Sequence, residues 1–129
     1  MTRADIRRLI DPFYRRVRKD PVLGPIFEGR IGTSDEEWTH HLAKIENFWA
    51  NVMLRERVYF GNPMQMHLAI PEISRAHFAI WLDLFEETAK EVLSPTKATA
   101  FDSIARRIGA SLAMGIEQVR GNGVPMLRV

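Results

Sequence analysis

The sequence predicts an all-α fold, and three observations carry that prediction. Apolar residues recur at steps of three and four in several separate stretches, helix-start signals precede most of them, and no segment shows convincing period-two alternation. The 129 residues suit a single domain, 1–129, large enough to bury a core without staples. There is no cysteine, which excludes disulfides, thiolate metal sites, iron–sulfur clusters and cysteine nucleophiles.

The elements follow in order. Thr2 with Asp5 three residues later makes a weak capping box for a short first helix. Asp11-Pro12 then reads as a fresh cap and first turn of a second helix, in which Phe13, Tyr14 and Val17 share one side. A buried Tyr14 needs a partner for its hydroxyl, and a backbone carbonyl would serve. Asp20-Pro21-Val22-Leu23-Gly24-Pro25 is dense in turn residues and should break the chain, after which Ile26 and Phe27 return to the core.

Gly32-Thr33-Ser34-Asp35-Glu36-Glu37 is the strongest local signal, with a Ser34 cap, Glu37 at the capping-box position and acids across a helix's positive end. The helix it opens carries Trp38, His41, Ile45, Phe48, Trp49 and Val52 on one stripe, so His41 faces inward and His40 does not. Helix signals weaken after Met53, and Arg55 to Phe60 is a connection closed by Gly61. Asn62-Pro63 starts another helix that Pro71 stops, which leaves it about two turns. A helix from Ser74 to about Leu93 places Phe78, Trp81, Leu82 and Phe85 at helical spacing. Ser94-Pro95 opens the last helix, which Gly121-Asn122-Gly123 should end, leaving the final residues loosely held.

Eighteen Lys and Arg against sixteen Asp and Glu give a net charge of +2, with both signs mixed along the chain. The densest basic run, Arg15, Arg16, Arg18 and Lys19, has no interleaved aromatic platform and reads as a solvated helix face, so no nucleic-acid partner is expected. No apolar run approaches the roughly 18 residues that span a bilayer, and M-T-R-A-D-I-R-R lacks the apolar core of a signal peptide. A cytoplasmic protein without a membrane partner is the expectation.

There is no H-E-x-x-H, no glycine-rich phosphate loop and no G-x-S-x-G turn. His40 and His41 point about 100° apart on a helix and form no two-histidine zinc face. What remains is an inward inventory: His67 on the short helix, and Tyr14, His41 and Trp81 on three other elements, among Phe13, Phe27, Phe48, Trp49, Met66, Phe78 and Leu82. Three hydrogen-bonding side chains around an apolar space exceed what a simple helical core tolerates. By spacing alone His67 is either a hydrogen-bonded core residue or a metal ligand, and the core reading is the safer one.

The order F-Y-x-x-V-R-x-D-P-x-L-G-P-I-F (13–27), I-G-T-S-D-E-E-W-x-x-H-x-x-K-I-x-x-F-W (31–49), H-L (67–68) and F-x-I-W-L-x-L-F-E-E (78–87) resembles the truncated haemoglobins, specifically group III. The resemblance covers nearly the whole chain, with weaker support before Ile6 and after Arg120. It implies a two-over-two helical sandwich around a b-type haem, with His67 as the proximal iron ligand. Tyr14, His41 and Trp81 would line the distal side, and Phe27 would pack on the porphyrin. Periodicity adds Met66, Phe48, Phe78 and Leu82 as apolar walls. His77 competes as an axial ligand by residue type, and the alignment makes it an ordinary helix residue.

The function implied is reversible binding of O2, or of NO or CO, with a polar distal pocket that slows O2 release. The alternative is an enzyme that uses bound O2 or peroxide, in NO dioxygenation or peroxidase-like chemistry, with an external reductase. A third class, a haem-free helical adaptor, would be colourless. A monomer or weak dimer is expected.

Overall fold

The computed structural model describes the backbone of residues 1–128 and the side chains of residues 1–121. Among the described residues six helices follow one another: α1 (Arg3–Lys19), α2 (Leu23–Ile31), α3 (Asp35–Leu54), α4 (Pro63–Leu68), α5 (Arg75–Val92) and α6 (Pro95–Arg128). Among the described residues there is no strand. Helix α1 packs on α3, α5 packs on α6, and α1 also lies against α5, which stacks one helix pair over the other.

α1 is one helix where the sequence suggests two. Its capping box is present, with the Asp5 N–H donating to Thr2 Oγ1 at 3.2 Å and the Thr2 N–H donating to Asp5 Oδ2 at 3.0 Å. Pro12 sits inside the helix. Proline there removes one hydrogen bond and crowds the preceding turn at a cost of about 3 kcal/mol. Ile6, Leu9, Ile10, Phe13, Tyr14 and Val17 form one buried stripe that runs straight past it. Burying that stripe at about 1.5–3 kcal/mol per large side chain outweighs the local penalty.

The turn at Asp20 breaks the chain as expected, and its carboxylate accepts from the Val22 and Leu23 N–H groups. The chain then forms α2, a helix the turn-rich composition hides. Pro25 lies in its first turn, where a missing N–H costs nothing. A Cβ on Gly24 would stand 2.5 Å from the Arg18 carbonyl oxygen, so the close crossing of α1 and α2 needs glycine there.

α3 opens with its Ser34–Glu37 capping box and ends where Arg55 takes a left-handed conformation, φ 59°. Asn51 holds the connection that follows: its Oδ1 accepts from the Val58 and Tyr59 N–H groups at 2.9 and 3.1 Å, and its Nδ2 donates to the Tyr59 carbonyl at 3.0 Å. α4 and α5 have the expected bounds to within a residue or two. α6 does not end at Gly121-Asn122-Gly123, since helical backbone continues to Arg128. Glycine stops a helix by turning left-handed, and Gly121 does not. The side chains of these last residues lie outside those described.

The core collects Ile6, Leu9, Phe13 and Val17 of α1, Trp49 and Ala50 of α3, Phe85 and Ala89 of α5, and Phe101 and Ala105 of α6. Phe85 is its hub. Its ring stacks on Trp81 at 5.0 Å and Trp49 at 5.4 Å and meets Phe13 edge-on at 5.2 Å. Trp81 and Trp49 carry that packing outward to a cavity.

Candidate functional site

A cavity of about 280 Å³ opens beside the core. Tyr14 of α1, Phe27 of α2, His41 and Phe48 of α3, Met66 and His67 of α4, and Phe78 and Trp81 of α5 all line it. Met66 is 52% exposed and sits at its mouth. Leu82 is the exception and corrects the expectation. It does not line the cavity but packs against Gly109 of α6, whose added Cβ would meet Leu82 Cδ1 at 3.2 Å. One residue beyond Trp81 is a turn of about 100°, enough to take a side chain off the wall and into the α5–α6 seam.

α6 supplies a wall the sequence reading did not assign: Ala105, Ile108, Gly109 and Leu112. Their spacing is that of a core stripe, and a stripe facing a cavity has the same period as one facing a helix. Arg30, Lys44, Tyr59 and His77 also line the cavity. Lys44 lies one turn after His41, a spacing that could have flagged it. Tyr59 could not be found that way, because Asn51, not a helix, presents it.

Two histidines of the lining differ in which ring nitrogen is free. His67 Nδ1 lies 2.6 Å from the Pro63 carbonyl oxygen. A carbonyl only accepts, so Nδ1 carries the proton and a neutral His67 keeps its lone pair on Nε2. His77 is the reverse. The Ser74 N–H donates to its Nδ1 at 3.0 Å, so the proton of a neutral His77 resides on Nε2. His77 is thus the capping-box residue of α5, and its free nitrogen is a donor. The His67 ring lies 5.7 Å from that of Phe78, tilted by 30°.

Tyr14 is buried, 4% exposed, with its ring 4.8 Å from Phe13 and 6.2 Å from His41. Burial pushes its hydroxyl well above the ordinary phenol range, and the neighbouring Trp81 indole opposes this only in part. The hydroxyl therefore keeps its proton at neutral pH and can donate it to an acceptor in the cavity. Trp38 packs behind this pair, 5.7 Å from the His41 ring, with its indole N–H donating to the Gly32 carbonyl at 2.9 Å. His41 is pushed down to about 4, first by burial and then by Lys44 and His40, and is neutral at pH 7.

This donor set has a definite chemistry. Among the described residues no three His, Asp or Glu side chains come together to hold a bare metal ion. An imidazole whose lone pair a backbone bond directs to Nε2, in an apolar, aromatic-lined cavity, fits instead a flat macrocycle that carries its own metal. An all-helical frame that presents such an imidazole is that of a globin.

No family model matches the chain. A curated group 3 truncated haemoglobin of Campylobacter jejuni is 51% identical over 88 residues, which is 68% of this chain and 69% of that protein. A crystal structure of a group III truncated haemoglobin from Campylobacter jejuni superposes with a TM-score of 0.86 at 41% identity, covering 90% of this chain and 91% of the other. The chain belongs to the group III truncated haemoglobins, and it is a globin-type haem protein.

Proposed function

We propose that the protein holds a b-type haem through His67 and reversibly binds O2, or a related diatomic ligand such as NO or CO, in the cytoplasm. The observation that carries this reading is the 2.6 Å hydrogen bond to the Pro63 carbonyl, which frees His67 Nε2 as a ligand in an apolar cavity. A haem held there would supply an iron able to bind a diatomic ligand. Arg30 and Lys44 would meet the carboxylates of the group, while Phe27, Phe48, Met66 and Phe78 would enclose its ring.

Tyr14, His41 and Trp81 are the hydrogen-bond donors of the distal side. A donor to a partly charged acceptor is worth about 1.5–3 kcal/mol, or roughly one to two decades in affinity. Tyr14 is the most deeply buried of the three, so its hydroxyl is the donor least in competition with solvent. The same arrangement slows O2 release, which suits scavenging or sensing better than bulk delivery.

The enzymatic alternative, NO dioxygenation or peroxidase-like turnover with an external reductase, draws less from the site. A proton shuttle works best with a pKa near the working pH, and His41 lies near 4.

The test is the visible spectrum of the purified protein in its ferric, ferrous and CO forms, followed by O2 release in stopped flow. A stoichiometric haem spectrum with a histidine-ligated ferrous–CO form is expected, and a colourless folded protein that ignores added haemin would overturn the reading. Tyr14→Phe is expected to change the O2 release rate by roughly tenfold or more, and rates within about twofold of the parent would remove Tyr14 from this role.

A further inference from the structure

α4 is six residues long and buries none of its side chains. Its start is capped by Asn62, whose Oδ1 accepts from the Gln65 N–H at 3.1 Å. Met64 lies over Gly115 of α6, where any Cβ would collide with it. Its end runs into the connection to α5, and there one side chain of α6 reaches across. The Arg120 guanidinium donates to the Ile70 carbonyl at 2.9 Å and to the Ile73 carbonyl through its other terminal nitrogen. Ile70 and Ile73 both line the cavity, and the Ile70 N–H donates to the His67 carbonyl at 3.0 Å. The guanidinium is therefore two hydrogen bonds from the backbone of His67.

We propose that Arg120 is a positioning residue for His67: by clamping the two carbonyls that follow it, Arg120 sets the direction in which the imidazole meets a bound iron. The proposal rests on the reading of His67 as the axial ligand. Charge-assisted bonds are stronger than neutral ones, and the rigid guanidinium fork holds two acceptors in a fixed relation. A lysine ammonium has no such fork and keeps the charge without the geometry.

The test uses the haem-loaded full chain and two readouts, the iron–histidine stretching band of the ferrous protein and amide exchange at Ala69, Ile70 and Ile73. Arg120→Ala is expected to shift and broaden the band and to speed exchange at those amides by roughly tenfold or more. Arg120→Lys should restore part of the band position. Arg75→Ala is the control, because Arg75 Nε pairs with Glu117 at 2.6 Å between α5 and α6, close to the same connection, and is not among the donors to those carbonyls. It should leave the band in place. Faster exchange with an unmoved band in Arg120→Ala would reduce Arg120 to a simple tether and overturn the proposal, as would no change in either. If alanine prevents folding, Arg120→Gln carries the same comparison. A parent protein without any iron–histidine band would instead overturn the assignment of His67, a failure distinct from that of Arg120.

Discussion

At the scale of single residues, the site turns on where protons reside. His67 and His77 both reach the cavity, and their backbone partners give them opposite tautomers. His67→Ala should therefore lose or badly weaken haem retention, while His77→Ala should keep a histidine-ligated spectrum; the reverse result in a haemin titration would exchange their roles. His41 adds a pH dependence with a definite sign. Its folded value, about 4, lies below the ordinary 6.5, so the unfolded chain binds the proton more tightly. The stability His41 contributes is complete above about 6.5 and drains away as pH falls towards 4. His41→Phe should flatten the thermal midpoint across that window, leaving the steeper loss below it to Asp5, Glu37 and Glu117, whose carboxylates their partners hold below ordinary values. Residue type and helical spacing turn Tyr14, His41, Phe48, His67, Phe78 and Trp81 inward, and the cavity collects them, but they do not reveal Arg30, Tyr59 or the cavity-facing role of α6. Nor do they reveal the tautomers, which depend on carbonyl and N–H groups that every residue possesses.

At the scale of elements, local chemistry was readable wherever it acts locally. The Ser34–Glu37 box, the Asn62-Pro63 start and the Ser94-Pro95 start each satisfy backbone groups within one turn, and each stands where the sequence puts it. The misreadings came where packing overrode a local signal. Asp11-Pro12 has the form of a fresh helix start, yet a buried stripe carries α1 straight through it, and turn residues at 20–25 conceal α2. Pro12→Ala follows from this: restoring the missing N–H donor within α1 should stabilise the fold by roughly 1–3 kcal/mol in chemical denaturation. A neutral or destabilising result would mean that α1 needs its proline for curvature.

At the scale of the whole molecule, core and cavity share one aromatic cluster. Phe85 is fully buried and contacts Phe13, Trp49, Trp81 and Phe101, of which Trp49 and Trp81 also face the cavity. Phe85→Ala should cost about 3–5 kcal/mol in denaturant unfolding. It should also alter O2 release, since Trp81 would lose the ring stacked on it; unchanged release would mean that Phe13, edge-on at 4.9 Å, holds the indole without Phe85. α4 stands outside this cluster, with no buried side chain among its six residues. The frame of α1, α3, α5 and α6 is complete without it. With no side chain buried, α4 can open locally at lower cost than the frame, and the speed of haem uptake is expected to follow the local order of residues 63–73, read by amide exchange, more than the folding of the frame.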